Sequence, residues 1–206
     1  NDDEIDELDE TFNLHLSSPL NATLADGTAV GTILDNDASP TLTIADATSD
    51  EDAPTVTMSV TLNTVSGLDV SVAYSTSASS ANAGSDFVAS TGVITLPAGT
   101  TVATLTIPLL ADRIDEPTES FEVLLLSPLN ATIADAAAVV ALLDNDSAEV
   151  IVADSVGGTI SEAGATSSYS IVLDSTPVAD VTVTITPDGQ LDLGAGGALP
   201  ITLTFH

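Results

Sequence analysis

One segment occurs twice in this chain, and its spacing constrains the fold more than any other feature. Asp3-Glu4-Ile5-Asp6-Glu7, Phe12, Ser18-Pro19-Leu20-Asn21-Ala22-Thr23 and Asp35-Asn36-Asp37 return as Asp112-Arg113-Ile114-Asp115-Glu116, Phe121, Ser127-Pro128-Leu129-Asn130-Ala131-Thr132 and Asp144-Asn145-Asp146. Each matched pair lies 109 positions apart (112 − 3, 121 − 12, 146 − 37), with no gap. A period of this size is too long for a solenoid unit and suits one independently folded domain per repeat. The expected organisation is the C-terminal part of a first repeat over residues 1–38, a complete repeat over 39–147, and the N-terminal part of a divergent one over 148–206. The sequence is thus expected to begin and end inside repeats, with further copies and any targeting signal outside it.

The complete repeat reads as strands throughout. Runs rich in Val, Ile, Thr and Leu fall at 41–44, 56–62, 70–74, 92–96, 102–110, 121–126 and 139–143, separated by Gly, Pro, Asp, Asn and Ser clusters. Period-two alternation is clear in Val56, Met58, Val60 and Leu62 and again in Leu105, Ile107 and Leu109, so each strand buries one face. Seven such strands and no helical period predict an all-β fold, an immunoglobulin-like antiparallel β-sandwich. In the third segment, 149–153, 169–173 and 180–185 match the first three strands, whereas 188–197 departs from the pattern. Phe121, Val123 and Leu125 are expected to point inward. Leu124 and Leu126 then point outward, a candidate surface for lateral packing on another chain.

Charge narrows the partners. The chain carries 31 acidic residues against a single Arg or Lys, a formal net charge of −30, yet 44% of it is hydrophobic. It has enough apolar surface to fold, and its negative field repels nucleic acid and anionic lipid. No apolar run is long enough to span a bilayer as a helix. Without cysteine, disulfides and thiolate zinc sites are excluded. What such a field attracts is cations.

The acids gather at strand ends: Asp50-Glu51-Asp52, Asp86, the stretch from Asp112 to Glu119, and Asp144-Asn145-Asp146. Alternating strand direction brings these to one pole. Several carboxylates within about 5 Å repel by roughly 3 to 4 kcal/mol per pair at an effective dielectric near 20. A hard divalent cation relieves that cost, and calcium accepts oxygens from dispersed loops more readily than octahedral magnesium does.

Four ordered motifs then carry a family resemblance: Ala-Gly-Ser-Asp-Phe at 83–87; Gly92-x-Ile-x-Leu followed by Pro97-Ala-Gly-Thr; Asp112-x-Ile-x-Glu-x-x-Glu-x-Phe; and Leu143-Asp-Asn-Asp. Together they resemble the Calx-beta domain, a family named for calcium-sensing domains of sodium/calcium exchangers and found as tandem repeats in large bacterial surface proteins. The resemblance implies Ca2+ ligands at Glu51, Asp86, Asp112, Glu116, Asp144 and Asp146, with the Ile114 carbonyl as a further candidate. In the first repeat it implies Asp2, Asp3, Glu7, Asp35 and Asp37. Strong calcium binders of the family carry an extra Asp where this chain has Ala111, and Asn145 interrupts the last triplet. One or two ions of modest affinity per repeat are therefore expected.

Catalytic chemistry is not expected. There is no Cys or Lys, no Gly-x-Ser-x-Gly elbow, and His15 reads as a strand residue. The reading that results is a calcium-binding structural and adhesive repeat region of a large secreted or cell-surface protein. Its expected partners are neighbouring repeats and a possible self-assembly contact or surface ligand. A regulatory calcium sensor, or a non-catalytic accessory region of a secreted hydrolase, is the alternative.

Overall fold

The structure is a computed structural model in which residues 3–154, 168–186 and 200–206 are described. Asp2 and the whole of the divergent stretch 188–197 lie outside the described residues. Fifteen strands and no helix occur among those described. The first two, β1 (Glu10–His15) and β2 (Thr28–Ile33), form an antiparallel hairpin.

The nine strands that follow form two sheets. β3 (Thr41–Ile44), β5 (Thr55–Leu62), β8 (Val102–Pro108) and the short β10 (Thr132–Ile133) make one, in the order β10-β3-β5-β8. β4 (Ala47–Asp50), β6 (Val70–Ala78), β7 (Thr91–Leu96), β9 (Glu119–Leu129) and β11 (Ala137–Leu143) make the other, in the order β4-β11-β9-β6-β7. The remaining strands pair as two hairpins, β12 (Val150–Asp154) with β13 (Tyr169–Leu173) and β14 (Val181–Ile185) with β15 (Ile201–Phe205).

Alternation sets the two sheets face to face. In β5 the buried residues are Val56, Met58, Val60 and Leu62, and in β9 they are Phe121, Val123 and Leu125, as the pattern predicts. Phe87 and Phe121 are fully buried and stack with ring centroids 4.1 Å apart. That contact pins the loop holding Asp86 to the base of β9.

Some expectations are corrected. The sandwich has nine strands rather than seven, and two of its pairings, β10 with β3 and β4 with β11, are parallel. The first predicted strand is found as β3, and β4 is additional: after Ile44 the chain leaves β5 and crosses to β11, where the Asp46 carboxylate accepts the Val139 amide at 2.8 Å. β10 arises because the turn at Ser127 and Asn130, both with positive φ, carries the chain back beside β3. Tyr169, at the start of β13, is 46% exposed.

On the outer face of the five-stranded sheet, Leu124 is half-buried, whereas Leu126, Val93 and Val139 are exposed. Ala73 joins Leu126 and Val93 in one row across three strands.

Candidate metal centre

The ends of β4, β8, β9 and β11 meet at one pole of the sandwich. Parallel pairing sets Asp50 opposite Leu143, so the next residues, Glu51 and Asp144, emerge side by side. The Glu51 amide donates to the Leu143 carbonyl at 3.0 Å. Antiparallel pairing sets Glu119 opposite Leu142, which brings a third acid to the same end. The loop from β8 to β9 adds Asp112 and Glu116, and the turn before Phe87 adds Asp86.

Asp86 is held from two sides: its carboxylate accepts the Asn82 amide at 2.6 Å, and its carbonyl accepts the Leu110 amide at 2.9 Å. Gly84, with φ of 96°, makes this tight turn possible. Asp112 folds onto its own loop, accepting the Ile114 amide at 2.8 Å.

Two groups of three carboxylates result. In Glu51, Asp144 and Asp146, and likewise in Asp86, Glu116 and Glu119, one oxygen from each residue lies within 4.8 Å of the others. Glu51, Asp86, Asp112, Glu116, Glu119 and Asp144 line one small cleft together with Leu110, Pro117 and Leu142. Six residues that the resemblance implied as ligands by their side chains therefore share this pole, Asp112 outside both triads. Ile114 also forms an isolated parallel bridge with Thr176 in the third segment, whose hydrogen bond runs from the Thr176 amide to the Arg113 carbonyl.

Glu119 closes the acidic stretch and belongs to the motif read from the sequence, but was not among the implied ligands. The structure makes it the first residue of β9. The signal was nevertheless present, because Glu10 precedes Glu119 by the same 109 positions as the other repeated acids.

Crowding raises the proton affinity of the glutamates. Burial, then the charges of Asp144, Asp112, Asp146 and Glu116, push Glu51 up to about 7. Burial pushes Glu119 up to about 7 as well, aided by a hydrogen bond with Asp86 and by the charges of Asp86, Glu116 and Glu51. Glu116 is raised by burial first and then by Asp112, Asp86 and Asp144. Oε1 of Glu51 and Oδ1 of Asp144 are buried without a hydrogen-bond partner. An orphaned carboxylate oxygen among like charges costs about 1–3 kcal/mol or more, and either a proton or a cation relieves that cost.

In the first repeat, Asp3, Glu7, Glu10, Asp35 and Asp37 line a second, wider cleft. Asp3, Glu7, Asp35 and Asp37 are the 109-residue counterparts of Asp112, Glu116, Asp144 and Asp146. None of these belongs to a three-carboxylate group of the kind above among the described residues. Asp35 donates its amide to the Asp9 carboxylate at 2.9 Å.

A two-sheet sandwich whose strand ends gather acids from four sequence-distant loops defines a β-sandwich repeat module with a carboxylate-lined pole. The family model of the Calx-beta domain matches residues 1–47 and 35–156, and the chain belongs to that family. Among solved structures, the apo-form Calx CBD1 domain is similar at 24% identity with a TM-score of 0.50, covering 53% of this chain and 100% of that one. CBD12 from CALX1.2 is similar at 25% identity with a TM-score of 0.50, and the match covers 56% of this chain and 48% of that one. No curated protein matches the chain.

Proposed function

We propose that this chain is a calcium-binding structural region in which the ion clamps the acidic pole of the complete repeat. The buried, unpartnered oxygens of Glu51 and Asp144 carry this reading, since no protein donor relieves them. Calcium takes about six to eight oxygens in flexible geometry. Glu51, Asp144 and Asp146 would hold one ion, and Asp86, Glu116 and Glu119 a second, with Asp112 nearby. The donor set contains only hard oxygens, which suits calcium and disfavours zinc or copper. Bound there, the ion would supply charge neutralisation and crosslink loops that the fold brings together only at their ends. The acids that lead out of each repeat, Asp35 to Asp37 and Asp144 to Asp146, would carry that stiffening toward the junctions.

The setting we propose is a large secreted or cell-surface protein with an adhesive or spacer role. A net charge of −30 with no cysteine suits a soluble array that relies on ions rather than disulfides. Calorimetric titration of metal-free protein in about 0.15 M salt tests the calcium reading. It should give saturable calcium heat and far weaker magnesium heat; no saturable calcium heat overturns it.

Lateral assembly is a second reading, favoured by the exposed row of Val93 and Leu126. The first repeat has His15 and Ser17 at the counterparts of Leu124 and Leu126, so such contacts would belong to the complete repeat alone. Light scattering at high concentration should show a mass above the monomer. Leu126→Ser should abolish that excess while changing stability by less than about 0.5 kcal/mol. A monomer at all concentrations rules this reading out.

A further inference from the structure

The loop between β8 and β9 and its first-repeat counterpart both reach forward onto the next segment, and they do so in the same way. Asp6 forms a parallel β-bridge with Ser66, in the turn between β5 and β6. The Gly67 amide donates to the Asp6 carbonyl at 3.0 Å. At the second junction Ile114 forms a parallel bridge with Thr176, in the turn between β13 and β14, and the Thr176 amide donates to the Arg113 carbonyl. Ile114 is the counterpart of Ile5, by the 109 spacing. Leu62 and Asp69 correspond to Leu173 and Asp180, a spacing of 111 (173 − 62, 180 − 69), which makes Thr176 the counterpart of Val65. The two bridges, Asp6 with Ser66 and Ile5-like with Val65-like, therefore occupy neighbouring positions of one register.

Side chains reinforce each contact. Asp6 is buried, and its carboxylate accepts the Ser39 hydroxyl at 3.3 Å. Ser66 is buried too, with its hydroxyl accepting the Leu68 amide and its carbonyl accepting the Gly99 amide. Gly67 lies so close to the incoming loop that a Cβ there would stand 2.7 Å from Cγ of Glu7. At the second junction the Arg113 guanidinium donates to the Asp174 carbonyl at 2.8 Å.

We infer that every repeat carries a docking surface for the repeat before it. The turn after its second core strand receives the Ile-Asp segment of the preceding acidic loop through a main-chain bridge of constant register. The bonds run between backbone groups, so docking needs no ion, and the inference does not rest on the calcium reading. A constant register gives each successive repeat the same orientation, so that any further copy would extend a rod of uniform step.

Amide hydrogen exchange on the whole chain in chelator tests this. The Gly67 and Thr176 amides, in otherwise exposed turns, should exchange at least about tenfold more slowly than unprotected amides. Gly67→Val should remove the protection at residue 67 while the amides within β5 stay protected. Valine suits the turn itself, because Val178 holds the corresponding place in the third segment and is 80% exposed. Asp6→Ala should weaken protection at Gly67. Unprotected Gly67 and Thr176 beside a protected β5 would overturn the inference, as would protection that appears only when calcium is added, or protection unchanged in Gly67→Val. Protected amides in a protein that gives no calcium heat would leave the docking intact and remove only the calcium reading.

Discussion

Saturating calcium should raise the unfolding midpoint of the metal-free chain by about 10 °C or more. One ion at a hundred times its dissociation constant adds about 2.7 kcal/mol to the folded state, and each kcal/mol shifts a domain of this size by about 4 °C or more. The ligand variants give the sharper result, because their sign depends on the ion. Asp144→Ala removes an orphaned oxygen and one negative charge from the pole. In chelator it should unfold at a higher temperature than the parent; in calcium it should unfold lower and lose more than half of the calcium shift. Glu51→Gln should behave alike, since Glu51 feels Asp144, Asp112, Asp146 and Glu116 together. A carboxylate that merely packed or hydrogen-bonded would lower the midpoint in both conditions. Sodium chloride that matched calcium's stabilisation would show that the acids need only screening, and would end the clamp interpretation.

The pole is legible in the sequence because repetition marks it. Asp112, Glu116, Asp144 and Asp146 recur 109 positions from Asp3, Glu7, Asp35 and Asp37, and a feature present twice is hard to read as a random solvated rim. The inward set of β9 and of β5 is legible for a different reason, since strict alternation admits only one buried face. What escaped was topology. Ala47 to Asp50 lacks an apolar alternation, because β4 is an edge strand whose burial is only partial, so nothing local announces that the chain has changed sheets. That crossing is nonetheless what sets Asp50 beside Leu143 and hence Glu51 beside Asp144. Glu119 was left out of the implied ligands although it closes the acidic stretch; the strand read from the sequence begins at Phe121, and only the extension of β9 back to Glu119 sets that residue opposite Leu142. The junction bridges could not be read at all, since they join backbone groups whose side chains are as different as Asp6, Ser66, Ile114 and Thr176.

Protons and calcium should compete for the same oxygens, with opposite effects of pH on the two forms of the protein. Glu51 and Glu119 titrate near 7 in the fold against an ordinary value of 4.5, and Glu116 is raised as well. Between those values the metal-free folded chain holds more protons than the unfolded chain. Its stability therefore falls as pH rises from about 4.5 to about 7, and levels off above that. With calcium bound, the same groups must be ionised in the folded state, so acid weakens the complex and stability is lost as pH falls. The two melting curves should converge near the ordinary carboxylate range and separate steadily toward neutral pH. At pH 6 most Glu51 and Glu119 carboxyls are protonated, so binding should release about one to two protons per repeat. Calorimetry in buffers of different ionisation enthalpy measures that release directly. Binding without proton release at pH 6 would place the ion elsewhere than among these glutamates. Release that falls by about one proton in Glu51→Gln, with the Glu119 share left and the first-repeat acids intact, would assign the exchange to the pole of the complete repeat.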